Sequence, residues 1–130
     1  MPNRGKKQED GVEQPKVLIA EDELIVGQDL CDTMEEAGFT AQGPHENVSS
    51  GMLAVQADKP DLAILDINLE DGQAFGLAET LLAEDVPVIF HSGHVSPDDV
   101  RARFPDTPAL SKPCPPAEMI SACQQALRVG

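Results

Sequence analysis

The sequence predicts an α/β protein: a doubly wound sheet of five parallel strands between two layers of helices. Three observations carry that prediction. Short apolar runs at residues 17–20, 62–65 and 86–90 lack the polar alternation of a half-exposed strand, which marks strands buried on both faces. After each run come apolar residues at helical spacing, so strand and helix alternate along the chain. A length of 130 residues holds one domain with a proper core and not two. Right-handed crossovers between parallel strands then lead to a three-layer sandwich.

Residues 1–15 are polar and carry Pro2, Gly5, Gly11 and Pro15; they are expected to form a disordered tail, leaving 16–130 as the domain. The first strand, Val17-Leu18-Ile19-Ala20, runs straight into Glu21-Asp22-Glu23. From Glu23 to Ala37, Val26, Leu30, Met34 and Ala37 recur at helical spacing, and Gly38 with Phe39 after it suits a helix stop with a hydrophobic contact. Phe39 to Gly43 is a short, weak second strand. Asn47 or Ser49 then caps a helix carrying Met52, Leu53, Val55 and Ala57. The central strand lies between Pro60 and the Glu70-Asp71-Gly72 turn and brings Asp66 to its carboxyl end.

Ala74, Ala78, Leu81 and Leu82 mark the third helix by their i, i+4, i+7, i+8 spacing. Val86 to Phe90 is the fourth strand, with Pro87 tolerable near its start, and it ends in His91-Ser92-Gly93-His94. Pro97 to Phe104 offers a short or partly irregular helix. Thr107 to Ser111 reads as the fifth strand and stops at Lys112-Pro113. Pro115 and Pro116 suit a first helical turn, after which Ile120, Cys123 and Leu127 give a face and Arg128 favours the carboxyl end.

Composition narrows the function. With 3% aromatic residues and neither Trp nor Tyr, an aliphatic core is expected. A net charge of -14 and a pI near 4.3 oppose binding to phosphate backbones or anionic membranes, so neither nucleic acid nor membrane is an expected partner. No apolar run approaches the ~18 residues of a membrane span, and a cytoplasmic location is expected. Cys31, Cys114 and Cys123 are odd in number and lack metal-ligand spacing, so they read as reduced thiols. A redox-sensing Cys114, with its pKa lowered near a helix start, is the lesser reading. His45, His91 and His94 share no metal spacing and read as structural or solvent-facing.

Ligands of open parallel sheets bind beyond the carboxyl ends of the strands. There this chain places Glu21 and Asp22 after the first strand, Asp66 after the third, Ser92 after the fourth and Lys112 after the fifth. Carboxylates within about 4 Å repel by ~1–4 kcal/mol per pair, and a cation relieves that repulsion. An all-oxygen site suits Mg²⁺ with retained waters and phosphoryl oxygens as further ligands. A carboxylate nucleophile, a divalent metal, a lysine and a hydroxyl donor together suit in-line phosphoryl transfer to Asp66.

The chain at this point resembles the receiver domain of two-component response regulators, over residues 16 to about 128. The acidic pair Glu21-Asp22, the strand-terminal Asp66, Ser92 with Gly93, and Lys112-Pro113 carry the resemblance. It implies a flavodoxin-like (βα)5 fold and Asp66 as phosphoacceptor. It further implies Mg²⁺, with Mn²⁺ as a substitute, served by Glu21, Asp22, Asp66 and the backbone carbonyl of Asn68. Ser92 and Lys112 would bind the phosphoryl oxygens, and Lys112-Pro113 would be cis. The segment from Pro87 to His94 is similar to a branch reading Pro-Phe-x-Phe-Ala-Thr-Gly-Tyr, with His94 at the tyrosine's place. The chain departs from the family at Ala109, where an aromatic switch residue commonly stands, and at Leu69-Glu70-Asp71-Gly72, which lacks a frequent proline.

The expected function is therefore a stand-alone response regulator. It would accept a phosphoryl group from a histidine kinase or histidine phosphotransfer protein and signal to a downstream protein, with no enzymatic role beyond its own phosphotransfer and dephosphorylation. The chain ends soon after the last helix, which suggests no attached effector domain. His94 and the segment around it, with Ala109, are the expected switch region. The alternatives are a small Mg²⁺-dependent phosphatase with an aspartyl-phosphate intermediate, of which Asp66-x-Asn68 is a poor echo, and a degenerate protein-binding module.

Overall fold

The computed structural model describes residues 14–93 and 97–129. Along the chain come β1 (Lys16–Ala20), α1 (Leu24–Glu36), β2 (Thr40–His45), α2 (Val48–Ala57), β3 (Leu62–Leu65), β4 (Asn68–Leu69) and β5 (Gly72–Gln73). They are followed by α3 (Phe75–Ala83), β6 (Val88–Ser92), α4 (Pro97–Arg103), β7 (Ala109–Ser111) and α5 (Pro116–Val129). Five strands form one parallel sheet in the order β2-β1-β3-β6-β7. This is the expected doubly wound sandwich of flavodoxin-like type. Residues 1–13 of the expected tail, and His94, lie outside the described residues.

The continuous apolar runs are explained by the pleat, which sends alternate side chains to opposite faces. Leu18, Ala20, Ala63, Leu65, Val88 and Phe90 pack in one core with Val55, Leu77, Leu81 and Val100 of the second to fourth helices. Val17, Ile19, Leu62, Ile64 and Ile89 pack in the other with Leu30 and Met34 of α1 and Met119 and Cys123 of α5. A strand covered on both sides has no position at which a polar residue is free to point to water.

Element ends differ from the sequence reading where backbone donors are used otherwise. The Val86 N–H closes α3 by donating to the Leu81 carbonyl at 2.9 Å, and Pro87 has no N–H, so β6 starts at Val88. The Thr107 N–H donates to the Phe104 carbonyl at 3.1 Å in the turn leaving α4, and β7 begins only after Pro108. The second strand runs on to His45 through a cis Gly43-Pro44 bond, with a register shift against β1 between Leu18 and Ala20. Gly43 has φ +131°, and a Cβ there would stand 2.5 Å from the Ile19 carbonyl oxygen. Gly27 lets α1 approach this bend: its Cβ would be 2.6 Å from that of Pro44.

Two features were not legible in the sequence. Asn68–Leu69 and Gly72–Gln73 form a small antiparallel hairpin where a turn was expected. Its tip carries Asp71 to the start of α2, where the carboxylate accepts from the N–H groups of Val48 and Ser49 at 2.6 and 3.1 Å. Those bonds hold its pKa low. Asn47 also caps α2, accepting from the Ser50 N–H at 2.8 Å. The core, moreover, is not wholly aliphatic. Phe90 lies 5.1 Å from Phe104 and 6.1 Å from Phe75, ring centre to ring centre, while Phe75 and Phe104 stack at 5.6 Å. The Arg103 guanidinium sits 4.5 Å from the Phe75 ring centre and 3.5 Å from the Glu79 carboxylate, tying α4 to α3.

Candidate functional site

Glu21, Asp66, Ser92 and Lys112 stand at the carboxyl ends of their strands, at one edge of the sheet. The Asp66 N–H donates to the Ala20 carbonyl at 2.9 Å, and the Glu21 N–H to the His45 carbonyl at 2.8 Å, so the ladder extends one step past β1 and β3 and delivers both carboxylates. The Lys112 N–H donates to the Ser92 carbonyl at 3.1 Å, which extends the β6–β7 ladder in the same way. Lys112-Pro113 is cis, as expected.

Lys112 Nζ lies 2.8 Å from Glu21 Oε1, 3.0 Å from Asp66 Oδ2 and 3.9 Å from Glu23 Oε1. Carboxylate oxygens of Glu21, Asp22 and Asp66 fall within 4.8 Å of one another; among the described residues this is the only cluster of its kind. Asp22 is the more exposed of the three, while Glu21 and Asp66 are buried. The Asn68 N–H donates to Asp66 Oδ1 at 3.3 Å, so both oxygens of Asp66 are held, one by the loop and one by the lysine. Ser92 is buried at the end of β6, whose Phe90 pairs in register with Leu65, the residue before Asp66.

The electrostatics follow from burial. Burial pushes the Glu21 carboxyl up to about 7 against the pull of Lys112, and raises Asp66 for the same reason. Burial alone would lower Lys112, but its bonds to Glu21 and Asp66 outweigh that and raise it. One ammonium thus serves two buried carboxylates beside a third. Glu21 Oε1 is buried and makes no well-directed hydrogen bond, although the lysine is close. An under-satisfied buried carboxylate oxygen in an all-oxygen cluster is the donor set a hard divalent cation takes, and the residues present fit Mg²⁺.

Other expected residues fall elsewhere. Ala109 pairs in register with Phe90 and packs against the Phe75–Phe90–Phe104 core, so rings from β6, α3 and the residue after α4 occupy the side where a ring on β7 was missing. The redox reading of Cys114 is not supported, since burial and then Glu118 raise its thiol pKa. Cys31 and Cys123 are pushed up to about 11 and 12 by burial, and all three cysteines are free thiols. His91 is buried against α1 and α5. Its imidazole is pushed down to about 4 by burial and by Lys112.

At the ends of its strands this doubly wound parallel sheet carries two buried acids, a third carboxylate and a lysine paired with both buried acids. The family model for the response regulator receiver domain matches residues 17–124. The chain belongs to that family. Receiver domains are signalling modules of two-component systems that bind Mg²⁺ at an acidic pocket, and the phosphatase alternative finds no support in the match.

Among solved structures, the chain is similar to SdrG from Sphingomonas melonis Fr1, with 34% identity, a TM-score of 0.74 and coverage of 88% of this chain and 97% of that one. It is similar also to the PhyR receiver domain of Erythrobacter litoralis, with 28% identity, a TM-score of 0.79 and coverage of 89% and 92%. Among curated relatives, the transcriptional regulatory protein PdtaR of Mycobacterium tuberculosis is 26% identical over 115 residues, which is 86% of this chain and 56% of that protein. The photosynthetic apparatus regulatory protein RegA of Rhodovulum sulfidophilum is 28% identical over 114 residues, 85% of this chain and 62% of that protein. The chain thus spans little more than half the length of these curated relatives. No helix among the described residues is long and apolar enough to cross a membrane.

Proposed function

We propose that Asp66 accepts a phosphoryl group from a phosphorylated histidine of a sensor kinase or phosphotransfer protein, and that the chain, read as one receiver domain over residues 16–130, signals by a change in affinity for another protein. The observation that carries this reading is the triple arrangement of Lys112 between buried Glu21 and Asp66. In the transfer the P–N bond to the donor histidine breaks and a P–O bond to an Asp66 carboxylate oxygen forms. Asp66 is held by the Asn68 N–H and Lys112, which fixes the direction of its attack. Lys112 would move its charge from Asp66 to the arriving phosphoryl oxygens, and Ser92 would donate its hydroxyl to them.

Glu21, Asp22, Asp66 and the Asn68 carbonyl would hold Mg²⁺, which neutralises charge that the lysine alone does not balance. Beside this pocket Leu24 and Ile25 are 51% and 79% exposed at the start of α1. Large apolar side chains in water next to the site suit the transient docking of a phosphodonor. For the output side, Ala109 carries no ring, so the packing of Phe90 against Phe104 and the segment from Gly93 through α4 are the elements proposed to respond, with His94 among them. Asp66→Asn keeps the shape and removes the nucleophile. Labelling by an autophosphorylated kinase should vanish, and persistent labelling at another residue would overturn the assignment.

A further inference from the structure

The hairpin of β4 and β5 is held in place from outside itself. Its strands of two residues each are too short to keep their register unaided in water. The turn Glu70-Asp71 contains no proline, Gly72 follows it at φ +142°, and residues 70–73 are exposed. The anchors lie on the segment that enters α2. The Asp71 carboxylate accepts from the N–H groups of Val48 at 2.6 Å and Ser49 at 3.1 Å and from the Ser49 hydroxyl at 3.0 Å. Beside it the Glu70 N–H donates to the Glu46 carbonyl at 3.1 Å. The helix has a cap of its own in Asn47, which accepts from the Ser50 N–H, so the bonds to Asp71 hold the hairpin as well as the helix.

The other end of this hairpin is Asn68, which pairs with Gln73 and whose N–H donates to Asp66 Oδ1 at 3.3 Å. The segment that anchors the tip also reaches the far side of the acidic pocket, since the His45 carbonyl accepts from the Glu21 N–H at 2.8 Å. We propose that Asp71 is a positioning residue for this pocket: by clamping the hairpin tip to the start of α2, it fixes the Asn68 carbonyl at the metal and the Asn68 N–H on Asp66. The proposal rests on the phosphoacceptor reading, in which that carbonyl serves Mg²⁺. A backbone carbonyl has no side-chain torsions of its own, so it stands wherever its strand stands.

The test titrates Mg²⁺ alone into the full chain, without phosphodonor, and follows the Asp66 and Asn68 amide shifts by NMR. Partners that orient a metal ligand govern affinity by about 10–100-fold; Asp71 acts one step further out, so Asp71→Ala should weaken Mg²⁺ about five- to tenfold. Two controls separate the clamp from its bland readings. Asn47→Ala removes a cap from the same helix and should lower the unfolding midpoint while leaving Mg²⁺ affinity within about twofold. Glu70→Gln removes an exposed charge from the same turn and should likewise stay within about twofold. Asp71→Asn loses the charge but keeps one acceptor oxygen for the Val48 N–H, and should recover most of the affinity lost in Asp71→Ala. Hydrogen exchange without metal reads the Asn68 and Glu70 amides, which should exchange several-fold faster in Asp71→Ala and not in the two controls.

Unchanged Mg²⁺ affinity in Asp71→Ala overturns the proposal. So does an equal loss in Asn47→Ala, which would trace the effect to helix stability, or an equal loss in Glu70→Gln, which would trace it to charge. Asp71→Asn no better than Asp71→Ala also overturns it. A wild type that shows no response to Mg²⁺ counts against the metal reading of the pocket itself. The clamp is then decided by the exchange of the Asn68 and Glu70 amides, and unchanged exchange in Asp71→Ala overturns it.

Discussion

Replacing Lys112 by Met removes the ammonium bonded to Glu21 and Asp66 and leaves an apolar stem of similar length. The Glu21 and Asp66 side chains are 1% and 5% exposed, so water does little to replace the lost charge. Breaking a buried ion pair by removing one partner costs about 3–5 kcal/mol. Protonation limits that penalty. Glu21 is already raised to about 7 and rises further without the lysine, so taking up a proton at pH 8 costs at most about 1.4 kcal/mol, which places the loss near the lower end, about 3 kcal/mol.

The sign against pH follows from the raised Glu21 pKa. Between the ordinary 4.5 and about 7 the folded chain holds a proton that the unfolded chain has released, so stability falls as pH rises through that window. Removal of Lys112 raises both carboxyl pKa values further and steepens the fall. Chemical denaturation in chelator at pH 8 and pH 5 should give a loss of about 3 kcal/mol at pH 8 and about 1 kcal/mol at pH 5, where Glu21 is protonated in either protein. A loss equal at both pH values would refute the electrostatic account and leave only the packing of the stem. A variant as stable as wild type at pH 8 would refute the pairing itself.

Three further outcomes are expected. Mg²⁺ should raise the melting temperature at pH 8 more than at pH 5, because protons and metal compete for the same oxygens, and Asp22→Ala should reduce the rise; a pH-independent rise would place the metal elsewhere. Phe104→Ala removes a buried ring touching Phe75 and Phe90 and should cost about 3 kcal/mol by denaturant unfolding, with beryllofluoride-induced amide shifts in α4 weakened; an unchanged midpoint would mean the aromatic core is not formed. Gly27→Ala should destabilise by about 1–2 kcal/mol despite the better helix propensity of Ala, since the new methyl meets Pro44 at 2.6 Å; a stabilised variant would show that α1 and β2 separate freely.

The sequence by itself determined the layer architecture and which residues leave the strands at one edge of the sheet. Runs such as Leu62-Ala63-Ile64-Leu65 bury both faces, and a residue following such a run must emerge at the sheet edge, so Glu21, Asp66, Ser92 and Lys112 were legible from position alone. Local chemistry also sufficed for Asn47 as a cap and for Gly38 after α1, because capping is settled within a few residues. Contacts between distant segments were decided only by the tertiary structure. Asp71 reaches the start of α2 from a hairpin 22 and 23 residues away. The rings of Phe75, Phe90 and Phe104 meet from α3, β6 and the turn after α4, although 3% aromatic content suggested an aliphatic core. His91 belongs to an apolar strand, and nothing local to it says whether an imidazole on the α1–α5 face finds a partner. That depends on which atoms the two helices bring over it, and those are set by packing, not by spacing along the chain.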